Sequence, residues 1–419
     1  MSRFDRYFLM KEKDIPDFVR EKVAGFFYET GEDAAFSVKE IGDGNVNYVF
    51  RIEDSGGKSL IVKQAGEQLR ISPDFNISTD RNRIESEMLI LQNKYAPGLV
   101  PKIYRYDTVL CACIMEDLSD YRLMRHALIE HKIFPHFAED ITTYLVNTTL
   151  PTTDVVMDHK EKKALVKTFI NPDLCEITEY LVLTEPYNDV KKRNIIIEEN
   201  AGFVRRELYE DKKLHLKIVE LKFGFMNNAQ ALIHGDLHTG SIFVKEKAEN
   251  GLAATRIFDP EFAFFGPIGY DLGNVIANLF FAWDNGRVWG DGAFCAWITE
   301  TAASVIDLFK EKFLSAFEET AADVMAKTEA FAKAYLDSII ADTAAYTGTE
   351  LIRRTVGMAP VKDLTAIDDE KVRARVSRLN IIAGKRFIFE RYNDNGQGNI
   401  RNGKDFTGLF LNSVKKAGL

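Results

Sequence analysis

The sequence predicts an α+β protein of two lobes, a small mixed lobe followed by a large, mainly helical one. Three observations predict it. Short β-branched and aromatic runs broken by glycine turns are concentrated before Glu116. Long stretches with apolar residues at helical spacing dominate after Asp120. The acidic tetrapeptide Glu116-Asp117-Leu118-Ser119 separates the two regimes. The expected organisation is a first lobe over 1–115, a hinge at 116–119 and a second lobe over 120–419.

Asp14 to Tyr28 carries Phe18, Val19, Val23, Phe26 and Phe27, a helical spacing. Phe36 to Ile41, Asn47 to Ile52 and Ser59 to Lys63 read as strands. Gly42-Asp43-Gly44-Asn45 divides the first two and Ser55-Gly56-Gly57 the second and third. Thr79 to Tyr95 reads as a helix with Ile84, Met88 and Leu91 on one stripe; Val100 to Tyr106 and Val109 to Met115 follow as strands. Beyond the hinge the predicted helices are Tyr121 to Leu150, Phe203 to Ala231, Tyr270 to Phe281, Thr299 to Phe317, Asp323 to Thr347 and Asp368 to Tyr392. Ser241 to Lys245 and Ala254 to Phe258 are short strands among them.

The chain has 419 residues, 46% hydrophobic and 28% charged, ordinary values for a packed globular protein. A net charge of -9 disfavours nucleic acid and anionic membrane as partners. No run of about 18 uninterrupted apolar residues is present, so no membrane span is expected. The segment from Met1 to Lys13 lacks an apolar signal core, and the cytoplasm is the expected location. Four cysteines without metal spacing read as reduced thiols; Cys111 and Cys113 are placed on one face of a strand.

The densest chemical signal is Leu232-Ile233-His234-Gly235-Asp236-Leu237-His238-Thr239-Gly240-Ser241-Ile242-Phe243-Val244. Two apolar ends bracket a polar turn with one acid and two histidines. Phe258-Asp259-Pro260-Glu261 follows, and Pro260 biases Asp259 toward extended backbone. Such loops can set one carboxylate at an attacking hydroxyl and others at Mg²⁺, which favours hard oxygen ligands. A solvated hairpin with incidental acids is the plain alternative for any one of these residues taken singly.

His-Gly-Asp-Leu-His, a short strand and then Asp-x-Glu resembles the aminoglycoside and choline kinase-like phosphotransferases, which share the protein-kinase-like fold. With Ser241 where most of that superfamily carries Asn, and with Asp-Pro-Glu, the pattern resembles the 5-methylthioribose kinase family in particular. The resemblance implies ATP-dependent phosphorylation of the 1-hydroxyl of S-methyl-5-thioribose in methionine salvage, with ATP and Mg²⁺ and in a homodimer. It makes Asp236 the residue at the substrate hydroxyl, and Asp259, Glu261 and Ser241 the metal ligands, with Pro260 between the two acids at the nucleotide.

Other segments match the same family. Ile41 to Phe50 resembles its nucleotide loop, with Gly44 at the phosphates and either Asn45 or Asn47 at the nucleotide. Lys63 matches the lysine at the α/β-phosphates. Its partner is Glu85 or Glu87, with Glu85, mid-helix, preferred. Glu116, Asp117 and Leu118 match the segment whose backbone takes the adenine edge. Arg353-Arg354 matches an arginine pair near substrate. Successive helical residues diverge by ~100°, so the two are expected to point apart. Asp271 is expected to cap a helix, to tie the catalytic loop's backbone, or both. Arg205-Arg206 reads as surface and Trp283 as core. The competing reading is a related kinase for an amino sugar, choline or homoserine.

Overall fold

The structure, a computed structural model, describes residues 2–27, 36–41, 47–66, 68–69, 72–76, 78–248, 253–393 and 395–417. It divides into two compact units, Met1–Tyr121 with Arg256–Phe262, and Arg122–Thr255 with Ala263–Leu419.

The first unit contains α1 (Ile15–Lys22), β1 (Ser37–Glu40), β2 (Asn47–Glu53), β3 (Ser59–Ala65), β4 (Gln68–Leu69), β5 (Ser72–Asn76), α2 (Asp80–Tyr95), β6 (Ile103–Asp107) and β7 (Ala112–Glu116). Five strands form an antiparallel sheet in the order β1-β2-β3-β7-β6. Phe50, Ile52, Leu60, Val62, Ala112 and Ile114 meet Phe4, Ile15, Phe18 and Val19 in a core under this sheet. Lys63 lies on the central strand β3, opposite Val49 on β2 and Cys113 on β7. Cys111 falls in the turn before β7 with φ 48, so it does not share a strand face with Cys113.

The second unit runs through β8 (Arg122–Leu123), α3 (Met124–Ile129), α4 (Phe137–Thr149), α5 (His159–Thr168), α6 (Pro172–Leu181), α7 (Ala201–Val204) and α8 (Lys212–Asn227). Then come β9 (Ala231–Ile233), β10 (Ile242–Val244), β11 (Thr255–Ile257), whose last two residues belong to the first unit, and β12 (Phe264–Gly266). The chain ends with α9 (Ile268–Val288), α10 (Gly292–Thr320), α11 (Glu329–Val356), α12 (Lys362–Thr365), α13 (Glu370–Phe389) and α14 (Gly403–Ala417).

The one long helix expected over 121–150 is two, α3 and α4. Pro135 removes a backbone donor and disfavours helical backbone before it, and His131 turns left-handed at φ 55. The helix expected over 203–231 is likewise interrupted: a π-turn at Arg205–Tyr209 precedes Asp211, whose side chain caps α8 by accepting from Lys213 and Leu214 N–H. Arg205 and Arg206 are exposed there, as expected of a surface pair.

Helix α10 is 29 residues long and is long and apolar enough to cross a membrane by length and composition. Its apolar face is buried inside the second unit through Phe294, Ile298, Val305, Ile306, Phe309 and Phe313. That is the pattern of a core helix.

Helices α9 and α11 approach through glycine. A Cβ on Gly273 would stand 2.8 Å from Thr347 N, and one on Gly269 would stand 2.7 Å from Thr343 N. Trp283, on α9, is buried edge-on against Phe410, so it packs the core.

Candidate active site

In the first unit, Lys63 is the centre of a buried charge cluster. Its Nζ donates to Glu85 at 2.8 Å and pairs with Asp259. Glu87 pairs instead with Arg83 at 2.9 Å, one helical turn away. Asn47 donates from Nδ2 to Glu261 at 3.1 Å and accepts from Arg81 Nη2 at 3.2 Å. Arg81 Nε lies 3.7 Å from Glu261.

Burial pulls the Lys63 pKa down, but Asp259, Glu85 and Glu261 outweigh it and the ammonium stays charged well above its ordinary range. Burial raises Glu85 and Glu261, helped by the charge of Asp259. Three carboxylates therefore face two cations.

Oxygens of Glu85, Asp259 and Glu261 lie within 4.8 Å of one another. The donor set is all oxygen, and the Asp259 side chain is 36% exposed. These properties fit a small divalent cation such as Mg²⁺.

Asp259 has φ 65, so its backbone is left-handed, not extended as Pro260 alone would favour. Aspartate tolerates this region better than most residues, and its ion pair with Lys63 fixes the conformation against the proline preference. Residues 256–262 also group with the first unit, whereas the sequence assigned them to the second lobe. The reason is electrostatic: their acids are held by Lys63, Asn47 and Arg81.

The segment 116–118 has its acidic side chains committed. Glu116 pairs with Arg256 at 2.6 Å and accepts from Lys102 N–H at 2.9 Å. Asp117 accepts from Arg51 Nε at 2.6 Å and from Ser59 at 2.7 Å. Leu118 is buried and its carbonyl accepts from Tyr121 N–H at 2.9 Å. The first unit closes at Tyr121, a few residues past the expected hinge.

In the second unit, β9 leads into the loop 234–241. Gly235 takes φ 81, a region that favours glycine. Asp271 accepts from His234 N–H at 2.6 Å and Gly235 N–H at 3.0 Å. It thus ties the loop, as expected, but from inside α9; the N-cap position is Pro267. Burial raises the Asp271 carboxyl to about 6 even against those bonds.

The loop's acid, Asp236, is met from two sides. Arg353 Nη2 donates to its Oδ1 at 3.2 Å, and Arg354 Nη2 lies 3.8 Å from the same atom. His238 Nε2 lies 3.3 Å from Oδ2. His238 Nδ1 accepts from Gly240 N–H at 3.0 Å, which leaves the ring proton on Nε2, toward the carboxylate. Burial alone would raise the Asp236 carboxyl, but His238, Arg353 and Arg354 hold it well below the ordinary carboxylate range. Ser241 donates its hydroxyl to Asp236 O at 3.1 Å and so braces the loop; its oxygen keeps lone pairs.

The two arginines do not point apart. Both reach Asp236 because Glu350, fully buried one turn earlier on α11, accepts each Nε on a separate oxygen, that of Arg354 at 3.0 Å. Arg353 and Arg354 hold the Glu350 carboxyl low against the opposing effect of burial. Sequence reading missed Glu350, although an acid three and four residues before an arginine pair is a helical ion-pair signal. It also missed Arg81 and Arg125, whose partners Glu261 and Thr239 lie far along the chain.

The profile of the phosphotransferase enzyme family matches residues 189–300, which include the Asp236 loop and Asp259-Pro260-Glu261. A methylthioribose kinase of Bacillus pumilus is 38% identical over 387 residues, 92% of this chain and 93% of its own length. The chain belongs to the methylthioribose kinase family. Members from Geobacillus sp. and Yersinia pseudotuberculosis are 36% and 35% identical, each over at least nine-tenths of both chains. The α+β fold expected from that resemblance, protein-kinase-like, is the fold of this chain: one sheet-bearing unit and one mainly helical.

Of the residues that the family resemblance picked out, Asn47, Lys63, Glu85, Asp259 and Glu261 come together in the first unit, and Asp236, Ser241, Arg353 and Arg354 in the second. Gly44 and Asn45 lie outside the described residues, so the choice between Asn45 and Asn47 is informed only by the contacts of Asn47.

Proposed function

We propose that this chain is an ATP-dependent S-methyl-5-thioribose kinase that phosphorylates the 1-hydroxyl of the sugar in methionine salvage. The observation that carries the reading is Asp236, held ionised between His238 and the Arg353-Arg354 pair in a chain that matches methylthioribose kinases over nine-tenths of its length.

An acid held so far below its ordinary range is a weak base. Asp236 orients the acceptor hydroxyl and takes its proton late, once transfer has made that proton acidic. An anomeric hydroxyl, more acidic than a simple alcohol, makes this demand modest. Arg353 and Arg354 neutralise charge on the phosphoryl group as it moves, which is where such reactions gain most from a protein. Lys63, kept charged by Asp259, Glu85 and Glu261, suits the α/β-phosphates of ATP. The side chains of Glu116 and Asp117 are already bonded, so backbone groups of 116–118 would take the adenine edge. Asp259 and Glu261 are the residues that would hold Mg²⁺; bound there, the ion would neutralise phosphate charge.

The test is direct. Purified protein with methylthioribose, ATP and Mg²⁺ should give ADP and a sugar 1-phosphate in equal amounts, read by ³¹P NMR. No phosphorylated sugar at saturating ATP and Mg²⁺ overturns the reading. Preferred turnover of choline, homoserine or an amino sugar selects the related-kinase alternative. We also take the working form to be a cytoplasmic homodimer, which light scattering would record as twice the 47.6 kDa of one chain.

A further inference from the structure

We propose that Arg125, on α3, is a positioning residue that aims the Asp236 carboxylate through the backbone of Gly240; this rests on the role of Asp236 given above.

Arg125 Nε donates to Thr239 Oγ1 at 3.2 Å and its Nη2 donates to Asn278 Oδ1 at 2.9 Å. Thr239 Oγ1 in turn donates to the same Asn278 oxygen at 3.3 Å. One guanidinium therefore fastens the catalytic loop to α9 at a point seven residues beyond Asp271, which holds the loop's other end. The arginine side chain is only 13% exposed, and the buried Asp363 carboxylate, 3.9 Å from Nε, supplies a counter-charge. An arginine so enclosed is held where it is by bonds on both sides, because a buried charge without partners is costly.

The link to Asp236 runs through one glycine. A Cβ on Gly240 would stand 2.7 Å from His238 Cε1 and 3.5 Å from Arg125 Cζ. A side chain at 240 would thus run into the imidazole and touch the guanidinium, so the glycine lets the main chain lie close to both. Gly240 N–H holds His238 Nδ1, and His238 Nε2 faces Asp236 Oδ2. Arg353 and Arg354 take Oδ1. The carboxylate is therefore aimed by two arms, and Arg125 sets the second one without touching the acid's oxygens. A misplacement of about 1 Å at a reacting group can lower a rate by roughly a hundredfold.

The experiment is a double-mutant cycle on the full-length protein, using whichever hydroxylated acceptor the wild type turns over, so that an error in the substrate assignment does not disturb it. Arg125→Lys keeps the charge beside Asp363 but loses the two-pronged bond. It is expected to lower kcat about tenfold, with KM for ATP and for the acceptor within about twofold and an unchanged thermal midpoint. Thr239→Val, which leaves the arginine in place, should lower kcat about fivefold. The double variant should be no slower than Arg125→Lys alone, because both changes cut one linkage. Multiplying effects overturn the proposal, as does an Arg125→Lys enzyme with wild-type kcat. A change confined to KM would make Arg125 a ligand-contacting group and equally overturn it.

Discussion

Arg353 donates to Asp236 Oδ1 across 3.2 Å, joining the last turn of α11 to the catalytic loop. The acid is thereby kept ionised, and removing its charge should strike turnover and spare ATP binding. Asp236→Asn is expected to lower kcat by about 10³-fold with KM for ATP within about threefold. Steady-state kinetics decide this; a kcat within tenfold of wild type would take Asp236 out of the chemistry.

Glu350 is fully buried and serves two arginines at once. Glu350→Gln leaves two guanidinium groups facing each other with Asp236 as their nearest acid. We expect a loss of about 3–5 kcal/mol of stability, the usual cost of breaking a buried ion pair. Urea unfolding measures it, and a change below about 1 kcal/mol would show that Glu350 is dispensable to the pair.

Asp271 makes stability depend on pH in a definite direction. Its carboxyl sits at about 6 in the fold against 3.8 ordinarily, so the folded protein holds that proton more tightly. The stability this contributes is full below 3.8 and is lost as pH rises through 6, in total about 3 kcal/mol. Asp271→Asn should flatten the fall in unfolding free energy between pH 4 and 6.5. Parallel curves for the two proteins would contradict the raised carboxyl.

The oxygens of Glu85, Asp259 and Glu261 beside Lys63 are where the proposed Mg²⁺ would sit. Chelation should abolish turnover and added Mg²⁺ restore it. Asp259→Asn, which removes one anionic oxygen ligand, should raise the Mg²⁺ concentration needed for half-maximal rate at least tenfold, a loss of about 1.4 kcal/mol or more. An unchanged Mg²⁺ requirement would place the ion elsewhere.

What the sequence made legible was whatever lies contiguous in it. The turn around Asp236 and the pair Asp259-Pro260-Glu261 announce themselves because their residues are neighbours along the chain. Lys63 could be matched to Glu85 because strand and helix follow one another. Arg125 stayed hidden because its meaning arises only in packing, where it meets Thr239 114 positions away. Glu350 was legible in its spacing from the arginine pair, three and four residues on, but that spacing alone does not show that the pair turns toward Asp236. The divergence expected of Arg353 and Arg354 is true of ideal Cβ directions, but two long side chains tethered to one carboxylate can bend back together. Backbone preference also yielded to tertiary charge at Asp259, where Lys63 outweighs Pro260. The break near Pro135 could have been read from the proline itself.

Gly269 and Gly273 let the backbone of α9 approach α11 more closely than any larger residue would allow. The first of these helices anchors the loop that carries Asp236, and the second delivers Arg353. The spacing of the two helices is thus a mechanical tolerance on catalysis. A methyl group at position 273 would act as a shim, and a shift of half an ångström or so is enough to stretch a 3.2 Å hydrogen bond past useful length. Drift at these two glycines would therefore be felt as lost turnover before it was felt as lost folding.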